Sequence, residues 1–336
     1  MTRKQIDSLL KSTHFKQNAN DWKLIETHIS FVLLDTQFAY KLKKGIKYTF
    51  LDFSTLEKRK YFCEREVLLN NRLSSGIYLN VVPVKRVNDK LLIDGKSGTT
   101  IDYAVKMKRL QAAKQMHLML DKKQVTKKHI QSLALLIRNF HHRTTVINNR
   151  FNRQDFTSRF NDIRSIADFI KTTLGPRNAE LIEKAARISD AFLKNHHALF
   201  TKRVENGSIR DCHGDLHSRN IFLYQKPIVF DCIEFNDSFR QTDILDELAF
   251  FCMDLEAEGY YELSKAFTRY YFGKSKKEFG KPEQLLFTYY KCYRANVRAK
   301  VNALRAMQST ALLRKKNLED VNKYLVLMDG YLDELS

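Results

Sequence analysis

The most informative segment of the chain reads His213-Gly-Asp-Leu-His-Ser-Arg-Asn-Ile-Phe222, and the apolar run Ile228-Val-Phe-Asp231 follows it. Asp215 and Asn220 lie five residues apart on a loop between strand-like segments. Asp231 ends an apolar strand, which is a rigid support for a carboxylate that points into a site. Two oxygen ligands and a carboxylate base suit Mg²⁺, which leaves its other positions to phosphate and water. The pattern therefore predicts a phosphoryl-transfer site.

The segments around this loop predict a β-rich half and a helical half. Over the first ~110 residues, apolar runs and period-2 alternation predict an antiparallel sheet, with one helix over residues 55–73. Beyond it, apolar positions at helical spacing predict helices over 126–142, two more over 155–200 broken at Gly175-Pro176, and further helices from residue 242. A short β-rich island covers residues 209–235. This organisation is typical of an α+β fold.

The loop resembles the catalytic loop of the aminoglycoside phosphotransferase and choline-kinase-like family, which reads HGD with an Asn five residues after the Asp. It is also similar to the HRDxxxxN loop of protein kinases, with Gly in place of Arg. The resemblance implies that Asp215 is the catalytic base that orients an acceptor hydroxyl, and that Asn220 and Asp231 hold metal ions. It implies a protein-kinase-like two-lobed fold with a nucleotide-binding N-lobe (1–106), a mainly helical C-lobe (107–336) and a hinge near 104–111.

The strings AYKLKK, FLDFSTLEKR and RDCHGDLH resemble those of an uncharacterised bacterial branch of this family. In that branch a P-loop nucleotide kinase domain often follows the kinase-like part. We expect none in this chain. Its one candidate, Gly273-Lys274-Ser275, has Thr268 where the P-loop requires a glycine, and it is predicted to be a surface turn.

Two lysines and a glutamate extend the resemblance upstream. The string AYKLKK begins at Ala39, and period-2 alternation places Lys41 and Lys43 on one face of the predicted strand. Its first three residues are similar to the Ala-x-Lys pattern of the kinase lysine strand. We therefore favour Lys41 as the residue that grips the α- and β-phosphates, with Lys43 as the alternative. Glu66 falls where the family has its ion-pair glutamate.

The loop that would cover the phosphates departs from the kinase pattern. Protein kinases make this loop glycine-rich, whereas the segment from Glu26 to Phe31 contains no glycine. The hydroxyls of Thr27 and Ser30 are candidates for nucleotide contacts there. The resemblance as a whole implies ATP, or GTP, and Mg²⁺ as cofactors.

A basic stripe is the candidate acceptor site. Residues 285–316 carry many cations and no acid. At about 100° per residue, four of the cations form a stripe that borders the buried face of a helix, namely Lys291, Arg294, Arg298 and Arg305. Arginine binds phosphate and carboxylate through paired hydrogen bonds. We predict an anionic acceptor here, and a solvated, salt-bridged helix face is the alternative.

Four residues are predicted to support the catalytic loop. His213 is expected to have a structural role. His217 and Arg219 are expected either to contact phosphate or to make local hydrogen bonds. Asp246 lies near a predicted helix N-terminus and is expected to brace the loop. The segment between Asp231 and this helix is too short for the activation segment that protein kinases use to hold a peptide. The predicted acceptor is therefore a small molecule.

Charge and composition indicate which partners and which cellular location to expect. The net charge of +20 predicts anionic partners and argues against polycationic acceptors such as aminoglycosides. Five scattered cysteines, never spaced as CxxC, predict neither disulfides nor a zinc site. No apolar run reaches the roughly 18–20 residues that span a bilayer, so we expect a cytoplasmic protein with no membrane partner. The alternatives are a catalytically weak nucleotide-binding regulator and an RNA-binding protein, although the aromatic–basic interleaving of RNA modules is lacking.

Overall fold

The computed structural model describes residues 1–11, 22–273 and 279–335. The chain divides into two compact units, which are Met1–Gln124 with Arg219–Arg240, and Val125–Ser218 with Gln241–Ser336. The hinge predicted near 104–111 lies inside the first unit, and it stays a prediction together with the lobe boundary at 106. The turn predicted at Gly273-Lys274-Ser275 lies outside the described residues after its glycine.

The first unit is built on an antiparallel sheet. Its strands are β1 (Lys23–Glu26), β2 (Ser30–Leu34), β3 (Phe38–Lys43), β6 (Tyr78–Val87), β7 (Lys90–Ile93) and β8 (Thr99–Lys108). They follow the order β1-β2-β3-β8-β6-β7. Two small hairpins accompany the sheet, formed by β4 (Lys47–Tyr48) with β5 (Leu51–Asp52), and by β10 (Ile221–Phe222) with β11 (Ile228–Val229). The unit also contains helices α1 (Arg3–Leu10), α2 (Leu56–Asn70), α3 (Met116–Asp121) and α9 (Asp237–Arg240).

The two faces of the sheet bury different helices. One face packs Leu33 and Leu42 against Ile6 and Leu9 of α1. The sequence prediction of a single helix in this half is therefore corrected, because a capping box and two buried apolar residues stabilise α1. On the other face, Cys63 of α2 packs in a separate cluster with strand residues such as Ala39, Val105 and Met107. Alternation along β3 turns Lys41 and Lys43 towards this second face.

The second unit is mainly helical. Its helices are α4 (Lys127–Arg143), α5 (Arg153–Asn161), α6 (Ala167–Leu174), α7 (Pro176–Asn195), α8 (His197–Glu205), α10 (Ile244–Ala257), α11 (Tyr261–Phe272), α12 (Lys281–Gln308) and α13 (Ala311–Leu335). Strands β9 (Ile209–Asp211) and β12 (Gln241–Asp243) pair antiparallel. Four helices lie where two were predicted over 155–200, and the predicted break at Gly175 has a φ of +91°. Among the described residues, no helix is both long and apolar enough to cross a membrane.

Candidate active site

Lys41 lies at the centre of an ionic cluster in the first unit. Its Nζ atom donates to Oε1 of Glu66 at 2.8 Å and to Oδ1 of Asp231 at 2.6 Å. Glu66 comes from α2, whose first turn is fixed by the N-cap Thr55. Asp231 comes from the segment after β11. The structure thus brings together three side chains that the sequence predicted for one site.

Lys43 has two carboxylate partners of its own. Its Nζ atom donates to Oε2 of Glu66 at 2.7 Å and also to Glu234. The Lys43 side chain is 1% exposed, whereas that of Lys41 is 12% exposed and contacts an Asp231 carboxylate that is 40% exposed. Solvent access therefore favours Lys41 over Lys43 as the lysine that meets a ligand. No sequence pattern had singled out Glu234.

Burial and charge oppose each other in this cluster. Burial lowers the pKa of Lys41 and Lys43, but their carboxylate partners outweigh it and raise both pKa values. Burial raises the pKa of Glu66, and the two lysines outweigh it, so this pKa falls below its usual range. Burial dominates at Glu234, whose pKa is raised with a further contribution from Glu66. Both lysines are therefore charged at neutral pH, and Glu66 is their shared counter-ion.

Asp231 adopts an unusual backbone conformation. Its φ is +66°, a left-handed value that aspartate tolerates better than most residues. Its backbone N–H donates to the hydroxyl of Tyr78 at 3.1 Å. Such conformations persist when the surroundings enforce them, and they often occur at functional sites. An exposed carboxylate that already faces an ammonium group is a suitable oxygen ligand for a hard cation such as Mg²⁺.

Two residues of the predicted catalytic loop, Arg219 and Asn220, belong to the first unit, and they differ in exposure. Asn220 is buried, and its backbone carbonyl accepts from the N–H of Phe230 at 3.0 Å, next to the β10–β11 hairpin. Arg219 is exposed, and its carbonyl accepts from Nε2 of Gln115 at 2.6 Å. An amide oxygen at position 220 fits the donor set that Mg²⁺ prefers.

The hydroxyls predicted to touch the nucleotide are engaged or buried. Thr27 closes the β1–β2 turn, where its Oγ1 accepts from the N–H of Ser30 at 2.9 Å and donates to the Ser30 carbonyl at 3.1 Å. Ser30 is fully buried, and its Oγ has no hydrogen-bond partner among the described residues. A nucleotide contact from either hydroxyl stays a prediction.

In the second unit, Asp215 is surrounded by cationic and imidazole groups. Nε2 of His217 lies 3.3 Å from its Oδ2, and its backbone N–H donates to Nδ1 of His213 at 3.2 Å. Burial raises the pKa of Asp215, but His217, His213 and Arg298 outweigh it and lower the pKa well below its usual range. Asp215 is therefore an ionised carboxylate at neutral pH, suited to accept a hydrogen bond from a hydroxyl.

Glu247 of α10 holds the backbone of the HGD segment. Its Oε1 accepts from the N–H groups of His213 and Gly214, both at 2.7 Å, and its Oε2 lies 2.6 Å from Nε2 of His141. Gly214 has a φ of +86°, which glycine adopts without strain. The structure therefore explains the glycine of HGD and adds Glu247 as a supporting residue that the sequence prediction missed.

Asp246 pairs with a cation of the basic stripe, and its predicted role in bracing the catalytic loop stays a prediction. It forms a paired ion pair with Arg294, with Nε–Oδ1 and Nη2–Oδ2 distances of 2.6 Å, and it accepts from Thr242 at 2.7 Å. Lys291 likewise lies 3.1 Å from Glu256. Arg294 and Lys291 therefore have internal partners, which agrees with the salt-bridged alternative for these two cations.

Arg298 and Arg305 are the remaining cations of the stripe. The guanidinium of Arg298 lies over the ring of Tyr324 at 5.4 Å, and its buried Nε has no hydrogen-bond partner in the part of the chain that the structure describes. Its charge also lowers the pKa of Asp215. Arg305 is exposed on the same helix. An acceptor contact from Arg298 or Arg305 stays a prediction.

The buried acids of α10 could have been found in the sequence. Asp246, Glu247, Asp254 and Glu256 lie in a helix that is buried on all sides. A carboxylate in such a helix requires hydrogen-bond or ionic partners. Asp254 is seven residues after Glu247, on the same helix face, and it accepts from the N–H of Ser218 at 2.8 Å. The spacing of these two acids marks the face that supports the catalytic loop.

Glu247 is expected to make folding stability depend on pH. Burial raises its pKa, but the hydrogen bond and charge of His141 outweigh it and lower the pKa. An unfolded glutamate has a pKa of about 4.3. The unfolded chain therefore takes up this proton first, so the contribution of Glu247 is complete above about pH 4.3 and is lost as pH falls through the folded pKa.

Urea unfolding between about pH 6 and pH 3 measures this effect. Glu247→Gln should lower stability at pH 6 and flatten its decline towards pH 3. The exposed Glu180→Gln on α7 is the matched control and should follow the wild type. An unchanged acid slope in Glu247→Gln would contradict the assignment.

The class of fold is shown by comparison with solved structures. A choline/ethanolamine kinase family protein from Mesorhizobium loti matches with a TM-score of 0.57 and 14% identity, over 98% of this chain and 97% of that one. Choline kinase from Cryptosporidium parvum matches with a TM-score of 0.52 and 11% identity, over 94% and 90% of the two chains. The chain therefore has the choline-kinase-like form of the protein-kinase-like fold, and the predicted fold class is confirmed.

The particular relatives found by sequence are uncharacterised bacterial proteins, as the resemblance predicted. Proteins from Mycobacterium bovis and Mycobacterium tuberculosis are 29% identical to the chain over 315 residues. These matches cover 91% of this chain and 59% of each relative. The chain thus spans about three fifths of the length of the curated relatives it matches. No protein-family model matches it.

Proposed function

We propose that the chain is an ATP- and Mg²⁺-dependent phosphotransferase that transfers the γ-phosphoryl group to a hydroxyl of a small anionic metabolite. The observation that carries this proposal is the triad of Lys41, Glu66 and Asp231. An ammonium group held between a buried and an exposed carboxylate is the arrangement with which kinases bind phosphate beside a metal. The fold that the chain shares with choline and ethanolamine kinases supports the same reaction class.

Each residue has a defined task in this proposal. Lys41 binds the α- and β-phosphates, and Asn220 and Asp231 are the ligands that would hold Mg²⁺. The bound metal would neutralise charge on the phosphates. Asp215 accepts a hydrogen bond from the acceptor hydroxyl and takes its proton as the oxygen bonds to the γ-phosphorus. The bond from the γ-phosphorus to the bridging oxygen breaks in the same reaction, and ADP leaves with that oxygen. Because its pKa lies well below its usual range, Asp215 is ionised at neutral pH and can orient the hydroxyl by accepting its hydrogen bond.

The acceptor is proposed to be anionic. The charge of Arg298 acts on Asp215. If the acceptor carries a negatively charged group besides its reacting hydroxyl, Arg298 is a cation that this group could bind. The net charge of +20 favours the approach of anions and disfavours polycations. Sugar phosphates and hydroxy acids are the compounds to screen first.

Magnesium-dependent nucleotide binding tests the proposal. A ligand that binds only the folded state stabilises it by about 2.7 kcal/mol at a concentration 100 times its Kd. We expect ATP to raise the Tm of the wild type only when Mg²⁺ is present, and we expect Asp231→Ala to lose this shift. The control Asp89→Ala, in the exposed β6–β7 turn, should keep it.

The opposite outcome is also informative. A wild type that shows no shift with ATP or GTP, with or without Mg²⁺, would contradict the proposed function. Binding with a full shift in Asp231→Ala would contradict the role given to this carboxylate.

A further inference from the structure

Lys43 is a second lysine in the ionic cluster, and the proposed reaction does not use it. Its ammonium lies between two buried carboxylates, Glu66 and Glu234, and 4.8 Å from the centre of the buried Phe53 ring. A phosphate group could reach this ammonium only by displacing a buried carboxylate. An uncompensated buried charge is strongly destabilising, so Lys43 is held where it is.

Glu66 divides its two oxygens between the two lysines. Oε1 accepts from Lys41 and Oε2 accepts from Lys43. If Lys43 were absent, both oxygens would be free to attract Lys41, which also binds Asp231. Lys43 therefore limits how strongly Glu66 competes for Lys41.

Lys43 also fixes the segment that carries Asp231. Glu234 lies three residues after Asp231. Between them, the N–H of Cys232 donates to Oδ1 of Asn70 at 2.9 Å, while the Asp231 N–H donates to the Tyr78 hydroxyl. The segment is thus tied to α2 and β6 through its backbone, and to β3 through the Glu234 side chain and Lys43.

We infer that Lys43 and Glu234 are positioning residues for the proposed kinase site. They saturate one oxygen of Glu66 and hold the Asp231 segment against β3, so that Lys41 and Asp231 keep the geometry that nucleotide binding requires. The inference rests on the proposed function for its consequence in binding, but the geometry it concerns exists without a ligand.

The test is the double variant Lys43→Met/Glu234→Gln, which removes one positive and one negative charge together. Two quantities are measured, the Kd for MgATP by calorimetry and the NMR signal of the Lys41 side-chain ammonium in the ligand-free protein. We expect the Kd to rise at least about tenfold and the Lys41 signal to move. The control Lys60→Met/Glu64→Gln removes an exposed pair on α2 and should change neither.

A folded double variant with an unchanged Lys41 signal and an unchanged Kd would overturn the inference. If the double variant does not fold, the single variant Glu234→Gln is measured with the same two readouts and the same expected directions. If the wild type does not bind MgATP, the proposed function fails. The Lys41 signal then decides the inference alone, because a moved signal supports it and an unmoved one overturns it.

Discussion

Asp215→Asn is expected to lower the rate of phosphoryl transfer by about 10²- to 10⁴-fold, the usual contribution of a positioned general base. The substitution keeps the shape of the side chain and removes its charge. Because Asp215 is assigned to the acceptor hydroxyl and Lys41 to the phosphates, the Kd for MgATP should stay within about twofold of the wild type. A loss of rate without a loss of nucleotide affinity is the signature of this division of tasks.

ATP hydrolysis provides a measurement that needs no identified acceptor. Water then takes the place of the acceptor hydroxyl, and the release of inorganic phosphate is followed at saturating MgATP. The exposed Glu180→Gln is the control in the same unit and should hydrolyse ATP at the wild-type rate. A rate for Asp215→Asn within about tenfold of the wild type would show that another group orients the nucleophile.

Arg294→Met is expected to destabilise the folded state by about 3–5 kcal/mol. The Arg294 guanidinium is buried, makes two hydrogen bonds to Asp246 and stacks 4.8 Å from the centre of the Phe250 ring. Its removal leaves a buried carboxylate without its cation. Urea unfolding at neutral pH measures the loss, and the exposed Lys316→Met should change stability by less than about 0.5 kcal/mol.

A second variant separates the ion pair from other effects. In Arg294→Met/Asp246→Leu both charges are gone, and apolar replacements of a buried pair are often neutral. The double variant should therefore recover much of the stability that the single variant loses. If Arg294→Met instead keeps its stability, the ion pair is not a structural element and the acceptor prediction for Arg294 returns. Arg298→Met, by contrast, should raise the apparent KM of an acceptor found by screening, and it should cost less stability than Arg294→Met.

The sequence predicted the parts of the fold that depend on local spacing. Alternation placed Lys41 and Lys43 on one face of β3, and the structure has both lysines bound to Glu66. The helix predicted over residues 55–73 is α2 (Leu56–Asn70), and Thr55 is its N-cap. Such features follow from the strand period of two residues and the helix period of about 3.6 residues, and both can be read from a single sequence.

The supporting residues depended on contacts distant in sequence. Glu234 follows Asp231 outside any strand or helix, and its partner Lys43 lies 191 residues away. Glu247 could be recognised as a buried acid, but nothing in the sequence indicated that it binds the backbone of His213, 34 residues earlier. The two interpretations of the stripe on α12 could not be separated from the sequence for a related reason. Helical periodicity shows that Arg294 borders the buried face of α12. It does not show that the carboxylate of Asp246, on α10, lies within hydrogen-bond distance of Arg294.

The chain contributes to the first unit, then to the second, and returns to the first before it completes the second. This order limits which fragments and chimaeras of the protein could fold. Residues 219–240 belong to the first unit, although the second unit contains the residues on both sides of them. A fragment that starts at residue 125 would carry Phe230 without the cluster around Cys63 that it packs against. It would also carry the carboxylates of Asp231 and Glu234 without their lysines. Neither half is therefore a self-sufficient module, and a chimaera of two relatives joined near residue 125 would also have to exchange 219–240.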